Sequence, residues 1–294
     1  MEKTVKKKKK FSVYALVIGI ALGIYSFVIL AILVWGFMAS LKMQDEYFYN
    51  VMPWLYELGI DFKYISALTY FEVILDGDVP FYVYLDQMFG NSITYSLSCA
   101  FISTLSPLVM AYVTNKYRYK ISGVLHKIVL IVMVVPIVGT TASTLEIVKF
   151  LGIYDTFIGS LILKAGFTNL YFLVFYSAFQ TLSWEYAEAA FVDGASHPRV
   201  MFGIMIPLIR PIIFSVFLIF FVTYWNDYQT LYTYYPSHPT AALGLFYFNR
   251  NTTTSSQEPM LLTGCLLVTI PVIILFLIFR EKLMGNLSMG GIKG

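Results

Sequence analysis

Long stretches without charge dominate the pattern of hydrophobic and polar positions along the chain. A membrane-spanning helix needs roughly 20 mostly apolar residues, and charged residues mark where such a helix ends. Six stretches fit this description, with Arg210 as a single interruption near one end of the fifth: Phe11 to Leu41, Gln87 to Asn115, Ile128 to Leu145, Ala165 to Trp184, Ile204 to Asn226, and Pro259 to Phe279. The pattern therefore predicts an all-α membrane protein with six transmembrane helices.

The amino-acid composition supports a membrane protein over every soluble class. Of the 294 residues, 58% are hydrophobic and 13% are charged, against roughly 45–50% and about 25% in soluble domains. Such a chain cannot cover itself with polar side chains in water. Disorder and a secreted disulfide scaffold are excluded as well, and Cys99 and Cys265, which lie inside apolar stretches, are expected to be small buried hydrophobic residues.

The distribution of positive charge orients the predicted helices. If the N-terminus is cytoplasmic, 15 of the 20 Lys and Arg residues fall in inner segments, and the outer segments hold the other five, which are Lys42, Lys63, Lys149, Lys164 and Arg250. Because cytoplasmic loops carry an excess of Lys and Arg, both termini are predicted to be cytoplasmic. The net charge is only +3, and nucleic acid is not expected as a partner.

This topology divides the chain into five parts. Residues 1–10 form a basic cytoplasmic tail, 11–41 the first helix, 42–86 an acidic extracytoplasmic segment, 87–283 a core of five helices, and 284–294 a cytoplasmic tail. The apolar stretch after the N-terminal lysines is longer than that of a signal peptide, so a retained helix is favoured over a cleaved one. The lysines then act as a topology anchor, with attraction to anionic membrane lipid as a second role.

The predicted inner loop after the fourth helix, residues 183–207, has the pattern of two short helices joined by a turn. Ser183 and Ser196 suit helix N-caps, and Gly194 suits a reversal of the chain. Trp184, Ala187 and Phe191 share one helical face, while Glu185 and Glu188 lie one turn apart on a neighbouring face. From spacing alone, this loop is either a helix pair that enters a groove of another protein or an interfacial elbow that reconnects two spans.

The residues of this loop resemble the signature of permease subunits in binding-protein-dependent ABC importers. Glu188-Ala189-Ala190, Gly194, Ile204 after nine intervening residues, and Pro207 match the pattern, and Ile206 stands where leucine is usual. The resemblance implies that the loop seats in a cleft of a cytoplasmic ATPase and couples ATP binding to transport. It assigns this coupling role to Glu185, Glu188, Ala189, Ala190, Asp193, Gly194, Ile204 and Pro207.

Other stretches resemble the maltose-type carbohydrate permeases, specifically the six-helix subunit of the pair. They are Asn91-Ser92, Ala111-Tyr112, Pro136, Gly152 with Thr156, Asp193 to Ser196, Trp225-Asn226-Asp227, and Gly291 to Gly294. The resemblance runs from about Asn91 to the C-terminus and implies the type I permease fold. It also implies three kinds of partner, namely a second permease subunit in a heterodimer, two ATPase subunits and an extracytoplasmic sugar-binding protein.

Polar side chains at the outer ends of the predicted helices are candidates to line a solute pathway. Such groups cost free energy if they face lipid, so they face either a cavity or other helices. The candidates are Asn91, Ser92, Thr94, Tyr95, Asn169, Trp225, Asn226, Asp227 and Tyr228.

The fourth helix begins unusually, because Lys164, Gly166 and Asn169 interrupt an apolar stretch. This pattern is typical of a helix broken beside a cavity, or of a lysine that extends outward to the membrane surface. The outward-extended lysine is the favoured interpretation.

The resulting hypothesis is a permease subunit of an ATP-driven importer for a sugar, most simply an oligosaccharide, in the plasma or inner membrane. We expect no catalytic residue, no metal site and no cofactor on this chain, with ATP and Mg bound by the partner ATPase. Three alternatives stay open: an ABC importer permease for a non-sugar solute, an ATP-independent channel or secondary transporter, and an intramembrane enzyme. The histidines His126, His197 and His238 fall in different predicted compartments, which disfavours the enzyme.

Overall fold

The structure is a computed structural model that describes residues 13–43, 46–47, 60–61, 67, 73–75, 81–117, 120–135, 139–251 and 258–287. The predicted basic tail, most of the C-terminal tail and most of the segment 42–86 lie outside the described residues. Pro136 and the terminal Gly291–Gly294 also lie outside them.

Helices make up most of the described chain, as the apolar pattern predicts. They are α1 Val13–Ser40, α2 Leu85–Lys116, α3 Lys120–Val134, α4 Thr140–Phe150, α5 Phe157–Lys164, α6 Leu170–Thr181, α7 Glu185–Val192, α8 His197–Val200, α9 Ile206–Leu208, α10 Arg210–Trp225, α11 Tyr228–Tyr234, α12 Ala241–Asn251 and α13 Glu258–Leu287. A π-helical segment, Met201–Met205, lies between α8 and α9.

The described residues are mostly helical, as predicted, and include one short two-stranded sheet that the sequence did not predict. Strands β1 (Val73–Leu75) and β2 (Phe81–Val83) pair antiparallel, with Ile74 opposite Tyr82. Both strands consist of β-branched, aromatic and leucine residues, which favour a pleated backbone. They belong to the predicted extracytoplasmic segment, which the sequence analysis describes only by its acidic charge.

The chain divides into two compact units, of which the first comprises residues 1–67 and 252–267. In this unit α1 is apolar and exposed along most of its length, as expected of a helix surrounded by lipid. Beyond its end, Lys42 pairs with Ile60 in an isolated antiparallel bridge, and its ammonium lies 3.7 Å from a Glu46 carboxylate oxygen. The hydroxyl of Thr263 donates to the backbone carbonyl of Pro259 at 2.8 Å.

The second unit comprises residues 68–251 and 268–294, and α2 is its central helix. Helices α6 and α10 pack along α2, and aromatic rings fill the space between them. The core includes Tyr112 from α2 and Phe172, Phe175 and Phe179 from α6, all fully buried. This packing holds α7 to α10 in place, because the same buried cluster continues into α7 and the π-helical segment.

Three described helices are long and apolar enough to cross a membrane, over residues Leu16–Ser40, Leu85–Lys116 and Glu258–Phe279. They coincide with the predicted first, second and sixth spans. The third predicted span differs, because α3 ends at Val134 and α4 starts at Thr140, so the stretch Ile128 to Leu145 is not one helix. Gly139 precedes α4 with φ +81°, a left-handed conformation that interrupts an α-helix.

The fourth predicted span is also shorter than its apolar stretch. Residues 165–169 are not helical, and α6 begins at Leu170 because Asn169 caps it. The Asn169 amide oxygen accepts hydrogen bonds from the backbone nitrogens of Tyr171 at 3.0 Å and Phe172 at 3.3 Å. The 12 residues of α6 therefore replace the predicted 20-residue helix from Ala165 to Trp184.

The fifth predicted span contains a sharp bend. The axis turns by 81° between the segment His197–Leu208 and α10, with the break at Ile209. Pro211 lacks an amide hydrogen, so it cannot donate to the carbonyl of Pro207 as an α-helix requires. The straight part of this span therefore starts at Arg210, after the bend.

Candidate functional site

The loop of residues 183–207, here called the coupling loop, folds as the helix pair that its sequence predicts. The Ser183 hydroxyl accepts a hydrogen bond from the Glu185 backbone nitrogen at 3.2 Å, just before α7 begins. Glu185 and Glu188 occupy the first turn of α7, where the helix dipole favours negative charge. Ser196 precedes α8 in an extended conformation, but its side chain makes no capping hydrogen bond, unlike the prediction.

Gly194 reverses the chain between the two helices, as predicted. Its φ is +79°, a left-handed conformation that suits glycine. The Gly194 nitrogen donates to the carbonyl of Phe191 at 3.0 Å, and the Ala195 nitrogen donates to that of Ala190 at 2.9 Å. These bonds close the C-terminal end of α7 and direct the chain into α8.

One face of α7 packs against the core of its own chain. Ala187 is fully buried, and the rings of Trp184 and Phe191 lie beside it with centroids 6.1 Å apart. Ala190 is only 8% exposed. The resemblance assigns Ala190 to close packing against a partner, whereas the structure places it in an intramolecular contact, so Ala189 is the exposed member of the alanine pair.

The opposite face of α7 is open to solvent and combines acidic and apolar groups. Glu185, Glu188, Ala189 and Asp193 are exposed, and Val192 is 87% exposed at the tip. Sequence reasoning missed Val192, although it follows the alanine pair by two residues. The exposed face of α7 thus presents carboxylates around one apolar side chain.

Side chains outside the predicted set hold the coupling loop against the end of α2. The Tyr117 hydroxyl and His197 Nδ1 are 2.8 Å apart, and the Lys116 ammonium donates to the carbonyl of Leu182 at 2.7 Å. A cavity of about 820 Å³ borders these contacts, and Lys116, Tyr117 and Trp184 contribute to its wall. The loop is thus fixed to α2 by hydrogen bonds as well as by packing.

The coupling loop reaches α10 through the π-helical segment. Met205 is fully buried there, while Ile204 and Pro207 are partly exposed. The predicted coupling residues Ile204 and Pro207 thus lie in the segment between α8 and the bend at Ile209, and they are not part of the exposed face of α7.

A second polar cluster forms where α2, α5 and α11 meet. Asp227 Oδ2 accepts hydrogen bonds from the Lys164 ammonium at 2.8 Å and from the Tyr95 hydroxyl at 3.2 Å. Asp227 Oδ1 accepts from the Thr230 nitrogen at 3.1 Å and so caps α11. Lys164 also donates to the Thr230 hydroxyl at 3.0 Å.

The charges of this cluster compensate each other. Burial alone would raise the pKa of the Asp227 carboxyl, but the Lys164 ammonium and the hydrogen bonds from Lys164 and Thr230 outweigh burial and hold this pKa below its usual value. Lys164 therefore does not extend outward to the membrane surface, which corrects the favoured interpretation of the sequence. Its partner stands 63 residues away in the chain, beyond the reach of any local pattern.

The other pathway candidates divide between interior and exposed positions. Ser92 and Trp225 are buried, the first accepting from the Ala241 nitrogen at 2.8 Å and the second donating to the Val268 carbonyl at 3.0 Å. Thr94 and Asn226 are exposed. Ser92 and Trp225 thus make buried hydrogen bonds. Thr94 and Asn226 are accessible, although each also donates to a backbone carbonyl one helical turn earlier, Thr94 to Gly90 at 3.0 Å and Asn226 to Val222 at 2.8 Å.

Asn91 and Tyr228 are partly exposed and contact the segment around α12. The Asn91 amide donates to the carbonyl of Pro239 at 3.0 Å. The Tyr228 ring stacks on that of Phe246, with centroids 4.7 Å apart, and Tyr232 meets the same ring edge-on. Tyr228 and Tyr232 of α11 and Phe246 and Tyr247 of α12 form a continuous group of rings, here called the aromatic face.

Within the described residues, no group of three or more His, Cys, Asp or Glu side chains is placed to hold a metal ion. Neither Cys99 nor Cys265 forms a disulfide. Cys99 is buried as predicted, whereas Cys265 is exposed on α13.

Residues 103–283 match the family described as binding-protein-dependent transport system inner membrane component. Similar proteins include a sulfoquinovosyl glycerol transport system permease protein of Agrobacterium fabrum, 23% identical over 89% of this chain and 88% of that protein. Two proteins of Bacillus subtilis are also similar. An arabinooligosaccharides transport system permease protein is 23% identical over 97% of this chain and 98% of that protein. A maltodextrin transport system permease protein is 25% identical over 80% of this chain and 84% of that protein.

The fold also resembles a chain in the crystal structure of a bacterial ABC transporter involved in the import of the acidic polysaccharide alginate. The TM-score is 0.74, with 93% of this chain and 99% of that chain covered. The two sequences are 20% identical over this match, so the likeness concerns the fold.

Proposed function

Since this chain belongs to the family of binding-protein-dependent transport system inner membrane components, we propose that it forms half of the membrane path through which an ABC importer takes up a sugar, most simply an oligosaccharide. It is a permease subunit in the cell membrane, and not an enzyme. The sugar class is supported by the relatives, which are named for sulfoquinovosyl glycerol, arabinooligosaccharides and maltodextrin. The observation that carries the mechanism is the coupling loop, with its acidic outer face and its turn at Gly194.

The partners follow from this assignment. A second, different permease subunit completes the path, two ATPase subunits bind and hydrolyse ATP with Mg, and an extracytoplasmic binding protein delivers the sugar. The exposed face of α7, formed by Glu185, Glu188, Ala189 and Asp193, docks on the ATPase. The ATPase biases the permease between inward-open and outward-open states, because ATP closes the ATPase dimer in only one of them.

The transport role predicts a specific set of companions and a specific stimulation. Purification of the tagged chain from its native membrane in mild detergent should recover an ATPase and a second permease. In reconstituted vesicles that also contain the binding protein, an oligosaccharide should raise the rate of ATP hydrolysis. Recovery of the chain without an ATPase would contradict the proposal and favour an ATP-independent channel or secondary transporter.

We further propose six spans with both termini in the cytoplasm. Three long helices, and the bent segment with α10 as a fourth span, account for four of them. The short apolar helices Ile121–Val134 and Leu170–Thr181 are proposed to form the other two together with the apolar residues that flank them. The excess of Lys and Arg in the inner segments supports this orientation.

Labelling with a membrane-impermeant maleimide checks the topology. In a chain without Cys99 and Cys265, a cysteine at the exposed Ser237 should react in intact cells, and one at the exposed Arg199, outside the proposed docking face, should react only after permeabilisation. The opposite pattern would invert the topology.

The solute pathway is proposed to run along the accessible polar groups of the outer half. Thr94, Asn226 and the aromatic face offer hydroxyl, amide and ring surfaces that suit a sugar. Asn91, Tyr95, Asn169 and Asp227 lie beside this route and make hydrogen bonds within the chain. In the vesicle assay, Asn226→Ala should raise the sugar concentration that gives half-maximal stimulation, and an unchanged value would place Asn226 outside the pathway.

A further inference from the structure

The outer polar cluster engages two of the three N–H donors of Lys164. An ammonium group has three N–H bonds. One donates to Asp227 Oδ2 at 2.8 Å and another to the Thr230 hydroxyl at 3.0 Å, while the ammonium also lies 4.9 Å from the centre of the Tyr224 ring. Only 16% of the lysine side chain is exposed. Most of its hydrogen-bonding capacity is therefore used inside the protein, and its third N–H bond lies on the side of the Tyr224 ring or of the small exposed part.

The backbone of Lys164 is anchored to the same helices as its side chain. The Ser103 hydroxyl of α2 donates to the Lys164 carbonyl at 2.8 Å, and that hydroxyl lies 2.7 Å from the hydroxyl of Tyr224 on α10. Tyr224 in turn meets Tyr95 edge-on. The end of α5 is thus held to α2 through the Lys164 carbonyl, and to α11 and the Tyr224 ring of α10 through the Lys164 ammonium.

Asp227 transmits this anchoring to the aromatic face. One carboxylate oxygen binds Lys164 and Tyr95, and the other caps α11 through the Thr230 nitrogen. The next residue, Tyr228, stacks on Phe246 of α12. Displacement of the carboxylate would therefore free the first turn of α11 and shift the rings that follow it.

We propose that Lys164 is a positioning residue for transport: it holds Asp227 in the N-cap of α11 and so fixes the aromatic face beside the sugar route, without binding cargo itself. This inference rests on the proposed function, because it assigns the aromatic face to the sugar route. Under this proposal Asp227 connects α2, α5 and α11 through its hydrogen bonds, and its carboxylate does not bind a sugar hydroxyl.

A double-mutant cycle separates positioning from cargo binding. The variants are Lys164→Met, Asp227→Asn and the double variant, and Lys149→Met is the matched control, since Lys149 is an exposed lysine over the ring of Tyr154. Uptake at low sugar concentration is measured in vesicles and divided by the amount of complete complex. We expect each single variant to lose at least about tenfold, because it leaves one buried charge uncompensated.

The double variant decides the question. Because it carries no uncompensated charge, uptake per complex should return to within about threefold of the wild type, and Lys149→Met should match the wild type. A double variant no better than Lys164→Met would overturn the proposal, since the lysine would then be required for itself. Single variants that lower only the yield of complex would overturn it too, as the pair would then serve folding alone. Failure of the sugar assignment is distinguishable, because the wild-type complex would then show no uptake.

Discussion

Gly194→Pro should abolish sugar uptake while the chain still inserts into the membrane. Gly194 has φ +79°, whereas proline holds φ near −65°, so the reversal between α7 and α8 cannot form. The substitution also removes the hydrogen bond from the Gly194 nitrogen to the carbonyl of Phe191. Conflicts of this kind cost about 3 kcal/mol or more. The exposed face of α7 would lose its orientation, and the spans would keep theirs.

The measurement is uptake together with ATP hydrolysis in reconstituted vesicles, normalised to the complex recovered. Gly203→Ala in the π-helical segment is the matched control, because Gly203 is exposed, has an ordinary φ and has open space where a Cβ would lie. It should transport like the wild type. Normal transport by a folded Gly194→Pro variant would show that the loop does not couple ATP to uptake.

Glu188→Lys should uncouple ATP hydrolysis from uptake with little effect on folding. The carboxylate is exposed in the first turn of α7, so its replacement removes no buried contact. The family resemblance pairs this carboxylate with a basic residue of the ATPase groove. A lysine at the same position would face that basic residue, and repulsion between like charges across an interface should reduce sugar-stimulated hydrolysis about tenfold or more.

The control for this charge reversal is Glu146→Lys, an exposed acidic position on α4. It changes the net charge equally and should leave stimulation intact. Co-purification of the ATPase with each variant reports docking directly. If Glu188→Lys retained both the ATPase and full stimulation, the acidic face of α7 would not be the docking surface.

Much of the helical layout was predictable because apolar stretches have a direct physical meaning. In α1, α2 and α13 charged residues occur only towards the helix ends, and lipid demands an intact helix between them. The coupling loop was also predictable, since Ser183 and Gly194 act through their nearest neighbours. Local interactions of this kind depend on only a few consecutive residues.

Features that depend on distant contacts were not predictable. The pairing of Lys164 with Asp227 joins the end of α5 to the start of α11, which are 63 residues apart in the sequence. The inward side of Ala190 depends on which face of α7 meets the core, and the alanine pair alone does not distinguish the faces. The bend at Ile209 required two prolines to act together with a π-helical segment, whereas apolar content alone indicated one straight span.

The π-helical segment also gives the spacing of the family motif a geometric meaning. A π turn accommodates one residue more than an α turn of the same helix. Each residue of an α-helix turns the chain by about 100° around the helix axis. The extra residue in Met201–Met205 therefore changes the direction in which α7 and α8 face relative to α10. The interval between Gly194 and Pro207 therefore encodes an angle as well as a length. The number of residues in this interval thus sets the direction in which Glu188 points around the axis of the segment from α8 to the bend at Ile209.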